Sequence, residues 1–267
     1  MSVLPKTILI PKKTTRHKPA LVFDIDGVIV RNKALISKVG ANCTNFIKLV
    51  DKNSLSFNDA EIYNNKLYKT HGHSLKGWLN ENQRNYNDAD IDFMKTVFNR
   101  YVYDDNILNE LRTYLFTDIF THNDDYAYLI LIYNLCVSNN IPIYLYSNAP
   151  SQWCSLVANK MKIEAKHVYS SDHEIFNNQL IYKPDISSYR RVAYDILKNN
   201  AEIEQLIFID DSLNNLIPLK GSKIWKPILY NPANCIKQSH CFEINSMKTL
   251  YTFMDLQINA PVQDTII

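Results

Sequence analysis

One stretch limits what this chain can fold into: ALVFDIDGVIV, residues 20–30. Leu21, Val22 and Phe23 lead into Asp24, Ile25, Asp26 and Gly27, and Val28, Ile29 and Val30 follow. An apolar run this short, ending abruptly at charges, predicts a strand buried on both faces of a parallel sheet. In open α/β sheets, ligands bind outside the carboxyl ends of such strands. Carboxylates two residues apart on an extended backbone project to one side, so Asp24 and Asp26 can address a single ligand or ion. Gly27 lets the chain turn sharply away.

Behind this strand the pattern changes. Apolar residues recur at spacings of three and four over residues 34–50 and 91–101, with no strand-like alternation. This predicts a mainly helical insertion, residues 32–124. Within it His71 and His73 flank Gly72 in a polar segment, which reads as surface rather than as a metal pair. Tyr63, Tyr68 and Trp78 read as helix-packing residues, with stacking on a ligand as the lesser use.

From residue 125 onward, helical and strand patterns alternate. A helix over 125–139 offers Tyr126, Leu129, Ile130, Tyr133 and Leu135 as its apolar face. Strands follow at 141–146, 167–169, 206–209 and 224–230, separated by helices at 152–162, 187–198 and 213–219 and closed by one at 246–256. The alternation predicts an α/β fold, a doubly wound, Rossmann-like parallel sheet with right-handed crossovers. The sheet core would comprise residues 20–31 and 125–267. Residues 1–19 carry Lys6, Lys12, Lys13, Arg16, His17 and Lys18 among three prolines, a basic arm expected as a loosely ordered tail.

Composition narrows the partners. A net charge of +2 over 267 residues gives no field for nucleic acid, so none is expected as a partner. The five cysteines form no CxxC pair and leave one thiol over, which points to a reducing, cytoplasmic setting. No apolar run approaches the roughly 18 residues of a membrane span, and no apolar leader is evident.

The predicted strand ends deliver a coherent set of groups: Asp24 and Asp26, then Ser147 and Asn148, then Lys183 after the third strand, then Asp210 and Asp211. Four gathered carboxylates repel one another unless a cation neutralises them, and all-oxygen ligands favour a hard ion such as Mg²⁺. The hydroxyl and ammonium suit phosphoryl oxygens. A carboxylate can attack phosphorus covalently, while a second one two residues on protonates the leaving oxygen and then activates water.

With these residues in this order, the chain resembles the haloacid dehalogenase superfamily. DIDGV at Asp24 is similar to its first motif, Ser147 in YLYSN to the second, Lys183 in IYKPD to the third, and Asp210–Asp211 in FIDDSLNN to the fourth. The resemblance implies Asp24 as nucleophile and metal ligand, and Asp26 as general acid/base offering its backbone carbonyl to Mg²⁺. It further implies Ser147, the Asn148 backbone and Lys183 as phosphate-binding groups. Asp211 would ligate the metal directly, and Asp210 directly or through a neighbour. The presence of Asp26 argues for a phosphate ester rather than a halide, because departing chloride needs no proton. The long first gap places a helical cap of the C1 type in the first insertion point. Residues 65–79 (NKLYKTHGHSLKGWL) and 102–115 are similar to pyrimidine 5′-nucleotidases of the yeast type, although Gly27 stands where those enzymes usually have Asn and Ser147 where they often have Thr. The implied activity is hydrolysis of a small-molecule phosphate ester, a nucleoside monophosphate. The alternatives are a sugar-phosphate phosphatase or phosphomutase, and a binding protein of this fold without catalysis.

Overall fold

The computed structural model describes residues 18–51, 55–82, 86–117, 124–173, 175–176, 179–234 and 241–259. The basic arm, apart from Lys18 and Pro19, lies outside the described residues.

The first strand, β1 (Lys18–Phe23), begins two residues earlier than the apolar run suggests, because Lys18 and Pro19 already pair with the strand beside them. The helical stretch that follows contains α1 (Lys33–Val50), α2 (Phe57–His71), α3 (Ser74–Glu81), α4 (Asp88–Val102) and α5 (Asp105–Phe116). Then come α6 (Asp124–Ser138), β2 (Ile143–Tyr146), α7 (Ser151–Met161) and β3 (Val168–Tyr169). A small antiparallel hairpin, β4 (Ile175–Phe176) with β5 (Gln179–Leu180), precedes α8 (Ile186–Asn199) and β6 (Ile203–Asp210). After these come α9 (Leu213–Leu216), β7 (Trp225–Tyr230), β8 (Phe242–Ile244) and α10 (Met247–Asn259).

The six long-range strands form one parallel sheet in the order β3-β2-β1-β6-β7-β8. Successive connections run outward from β1 to β2 and β3, then cross back to β6 on its other side, so the order switches between β1 and β6. That is the position where an open sheet leaves a crevice at its carboxyl edge. Period-two alternation assigns the strand residues to two cores. Leu21, Phe23, Leu145, Ile207 and Ile209 pack under α5, α6, α7 and α10, whereas Ala20, Val22, Tyr146, Leu206 and Phe208 pack under α8 and α9. With both faces covered, the strands need apolar residues on both sides, which is why β1 reads as an unbroken run.

Among the described helices of the insertion, α1–α4 enclose a core of their own. Phe46, Ile47, Leu67, Leu75, Trp78, Ile91, Phe98 and Val102 cluster there, joined by Leu180 of β5 and by Tyr182 just after it. α5 instead packs Ile107, Leu108 and Leu111 into the core of the sheet. Local chemistry fixes the helix ends: Asn32 caps α1, Ser56 caps α2, and Asn87 with Asp90 forms a capping box on α4.

Two expectations require correction. The buried face of α6 is Tyr126, Leu129, Ile132 and Cys136, while Ile130 remains 43% exposed. The helix is apolar nearly all round, so spacing alone gave its face no direction, and packing against α10 and the sheet chose it. The second concerns His73, which is buried rather than on the surface. It caps α3, its ring lies 4.6 Å from that of Tyr182 and 5.0 Å from that of Phe98, and burial pushes its imidazole down to about 3. Among the described residues no helix is long and apolar enough to cross a membrane.

Candidate active site

The strand register brings the two halves of the site together. Phe23 pairs with Ile209, so Asp24 and Asp210 stand side by side at the ends of β1 and β6, and the Asp24 amide donates to the Ile209 carbonyl at 2.8 Å. Gly27 turns the chain with φ +83°, and a β-carbon there would lie 2.0 Å from Asp211 Oδ2. Only a glycine allows the first acidic turn to approach the second this closely.

Lys183 is the hub. Its ammonium lies 2.8 Å from Asp24 Oδ1 and 2.9 Å from Asp210 Oδ2, and donates to the Tyr146 carbonyl at 3.1 Å. The side chain is 1% exposed, and its two carboxylate partners hold it protonated against the pull of burial. The Asn148 side chain braces this lysine from both directions. Its Oδ1 accepts from the Lys183 amide at 3.0 Å, while its Nδ2 donates to the Lys183 carbonyl at 2.9 Å and to the Gly72 carbonyl at 3.2 Å. Gly72 ends α2 with φ +74°, and a β-carbon there would meet the Lys183 carbonyl at 2.2 Å. The helical insertion therefore rests directly on the loop that carries the lysine. Ser147, 2% exposed, accepts from the Ala149 amide at 3.0 Å through its hydroxyl oxygen.

The carboxylates differ in their surroundings. Asp24 Oδ1 accepts from the Ile25 amide at 2.7 Å, and burial raises its carboxyl well above the ordinary range despite the lysine. Both Asp210 oxygens are engaged, by Lys183, Asn215 and the Ser212 amide. Asp211 lies at the mouth with much of its surface open. Enclosure of its carboxyl group, then the charge of Asp210, raises it to about 7. Asp26 turns away from that trio and accepts from Trp153 Nε1 at 3.0 Å; burial raises it to about 6 against that hydrogen bond. Trp153 is a positioning residue that the motifs did not single out.

Asp24, Asp210 and Asp211 each offer an oxygen within 4.8 Å of the other two. The donor set is all carboxylate, and one ammonium balances only part of the charge. Such a set fits a hard divalent cation. A pocket of 150 Å³ opens over these groups, and Asp24, Asp26, Ser147, Asn148, Lys183 and Asp211 all line it. The structure thus brings every candidate residue to one place.

The model of haloacid dehalogenase-like hydrolases matches residues 18–222. The chain belongs to the haloacid dehalogenase-like hydrolase family, and all four motif segments fall within the matched span. A search of curated proteins gives no match. Among solved structures, the chain is similar to a family IA, variant 3 hydrolase of this class from Entamoeba histolytica, with a TM-score of 0.52 and 14% identity over 90% of this chain and 100% of that one. A phosphatase of the class from Thermococcus onnurineus gives 0.52 and 14% over 88% and 97%. CbbY from Rhodobacter sphaeroides, solved in complex with phosphate, gives 0.52 and 12% over 86% and 95%. At these identities the likeness concerns the fold.

Proposed function

We propose that this hydrolase is a phosphomonoesterase that uses Asp24 as its nucleophile and acts on a nucleoside monophosphate. The observation that carries the reading is Lys183, held between Asp24 and Asp210 at the sheet's switch point, with Asp26 beside the same pocket. Both hydrogen-bonded contacts of Asp24 fall on Oδ1, which leaves Oδ2 as the attacking oxygen. As it bonds to phosphorus, the P–O ester bond breaks and the departing oxygen takes the proton of Asp26. The value of about 6 suits a group that donates this proton and then receives one from water. That water attacks the aspartyl phosphate, releasing inorganic phosphate and restoring Asp24.

Lys183, the Ser147 hydroxyl and the Asn148 backbone would hold the phosphoryl oxygens and offset charge as it develops. Mg²⁺ fits the carboxylate cluster and, when bound, neutralises the nucleophile and the phosphoryl group. Asp24, Asp211 and the Asp26 backbone carbonyl would hold it. With both of its oxygens already engaged, Asp210 serves more as the anchor of Lys183. Residues 32–124 would act as a C1-type cap over a core of residues 20–31 and 125–267. α1–α4 form the cap proper, as supported by their separate apolar cluster. A phosphate-release screen with and without Mg²⁺, over pyrimidine and purine monophosphates beside sugar phosphates, tests this reading. Turnover confined to the sugar phosphates would remove the nucleotide assignment.

A further inference from the structure

A second cavity of 310 Å³ adjoins the catalytic pocket and shares Asp26, Ile36, Tyr68 and Asn148 with it. It lies between the helical insertion and the loops of the sheet core, at the low end of the size range for small-molecule sites. It opens beside Asp26, the group that protonates the departing oxygen in the reading above. Aromatic side chains, Tyr68, Phe98, Tyr103 and Trp153, supply much of its wall. Among the described residues that line it, none is Lys or Arg. The His73 imidazole and the Cys43 thiol at its edge are held neutral by burial. A cavity so lined suits a flat, uncharged ring and offers no partner for a second phosphate.

One polar group there lacks a partner. Asn64 is 6% exposed and lines the cavity, and its Oδ1 makes no hydrogen bond. The Thr44 hydroxyl donates to the Gly40 carbonyl at 3.2 Å and accepts from Asn64 Nδ2 at 3.3 Å. The carbonyl oxygen of Asn64 is therefore the end left over. An unpaired buried acceptor is costly to maintain unless a ligand satisfies it.

We propose that this cavity receives the leaving group of the phosphate ester as a flat, uncharged heterocycle, and that Asn64 Oδ1 accepts a hydrogen bond from a ring or exocyclic N–H of that heterocycle. Asn64 is then a specificity-determining residue. It rejects analogues that lack the donor, because they leave its oxygen buried and unpaired. This inference rests on the phosphomonoesterase reading above.

The test compares kcat/KM for uridine 5′-monophosphate with that for its N3-methyl analogue, and for adenosine 5′-monophosphate with that for its N6,N6-dimethyl analogue. Ribose 5-phosphate and p-nitrophenyl phosphate are measured alongside. The proposal expects the wild type to prefer at least one parent nucleotide over its methylated analogue by about tenfold or more, and over ribose 5-phosphate. In Asn64→Leu, of similar size but without the acceptor, that ratio should collapse to within about twofold whatever the absolute rate. If both methylated analogues match their parents in the wild type, or ribose 5-phosphate exceeds both nucleotides, the role of Asn64 is overturned. That result requires no variant to fold. If the wild type releases no phosphate from p-nitrophenyl phosphate with Mg²⁺, the phosphomonoesterase reading fails, and this inference with it.

Discussion

His73 should make the protein lose stability as the pH falls from 7.5 to 5. Its imidazole is buried against Phe98 and Tyr182, with Lys76 in the same helix turn, and burial first and the lysine second lower it to about 3. An unfolded histidine titrates near 6.5. Between these values the unfolded chain binds a proton that the folded protein refuses, so stability is lost as the pH drops through 6.5 toward 3. Those two pKa values give a loss of about 2 kcal/mol between pH 7.5 and 5. Asp26 and Asp211 act in the opposite sense, because their folded values of about 6 and about 7 lie above the unfolded ones. The wild-type curve alone therefore mixes the effects. His73→Asn keeps a helix-capping side chain and removes the titration. Urea denaturation of both proteins at pH 7.5, 6.5, 5.5 and 5.0 isolates the histidine as the difference between the two curves. Parallel curves would refute the burial argument.

Three further outcomes follow from the site. Lys183→Met should abolish phosphate release and destabilise the fold by about 3 kcal/mol in denaturant titrations, since Asp24 and Asp210 lose their buried counter-charge. A change under 1 kcal/mol would contradict this. Gly27→Ala should raise the Mg²⁺ concentration giving half-maximal rate by about tenfold or more, because its β-carbon would displace Asp211. Asn148→Ala removes the two hydrogen bonds from Asn148 to Lys183 and the one to Gly72, so amide exchange at residues 71–74 and 183 should speed up markedly.

The sheet and three of its strand ends were legible because the chemistry is written locally: the apolar runs of β1, β2 and β6 stop at Asp24, Ser147 and Asp210. Asp24 and Asp210 are brought together by the β1–β6 register, and Lys183 reaches both from the segment between β5 and α8. Other features depend on tertiary partners. His73 sits in a polar stretch, and only the approach of α4 and of the segment after β5 buries it. β8 is three residues long and pairs with β7, too short for any alternation to register. The α4–β5 packing likewise has no local signature. Asn64 carries a local signal: Ala60, Asn64 and Leu67 form the buried face of α2, and a polar residue on an apolar face marks a specific role. Trp153 belongs to the same class, since its role depends on Asp26, far away in sequence.

The central claim is that Asp24 attacks phosphorus at a Mg²⁺-assisted site. The most direct test is inorganic phosphate release from uridine and adenosine monophosphates and p-nitrophenyl phosphate by the wild type and Asp24→Asn, each with Mg²⁺ and with EDTA. The account predicts turnover only by the wild type with Mg²⁺, together with a folded, inactive variant by circular dichroism. Comparable phosphate release by Asp24→Asn, or a wild-type rate indifferent to EDTA, would contradict it.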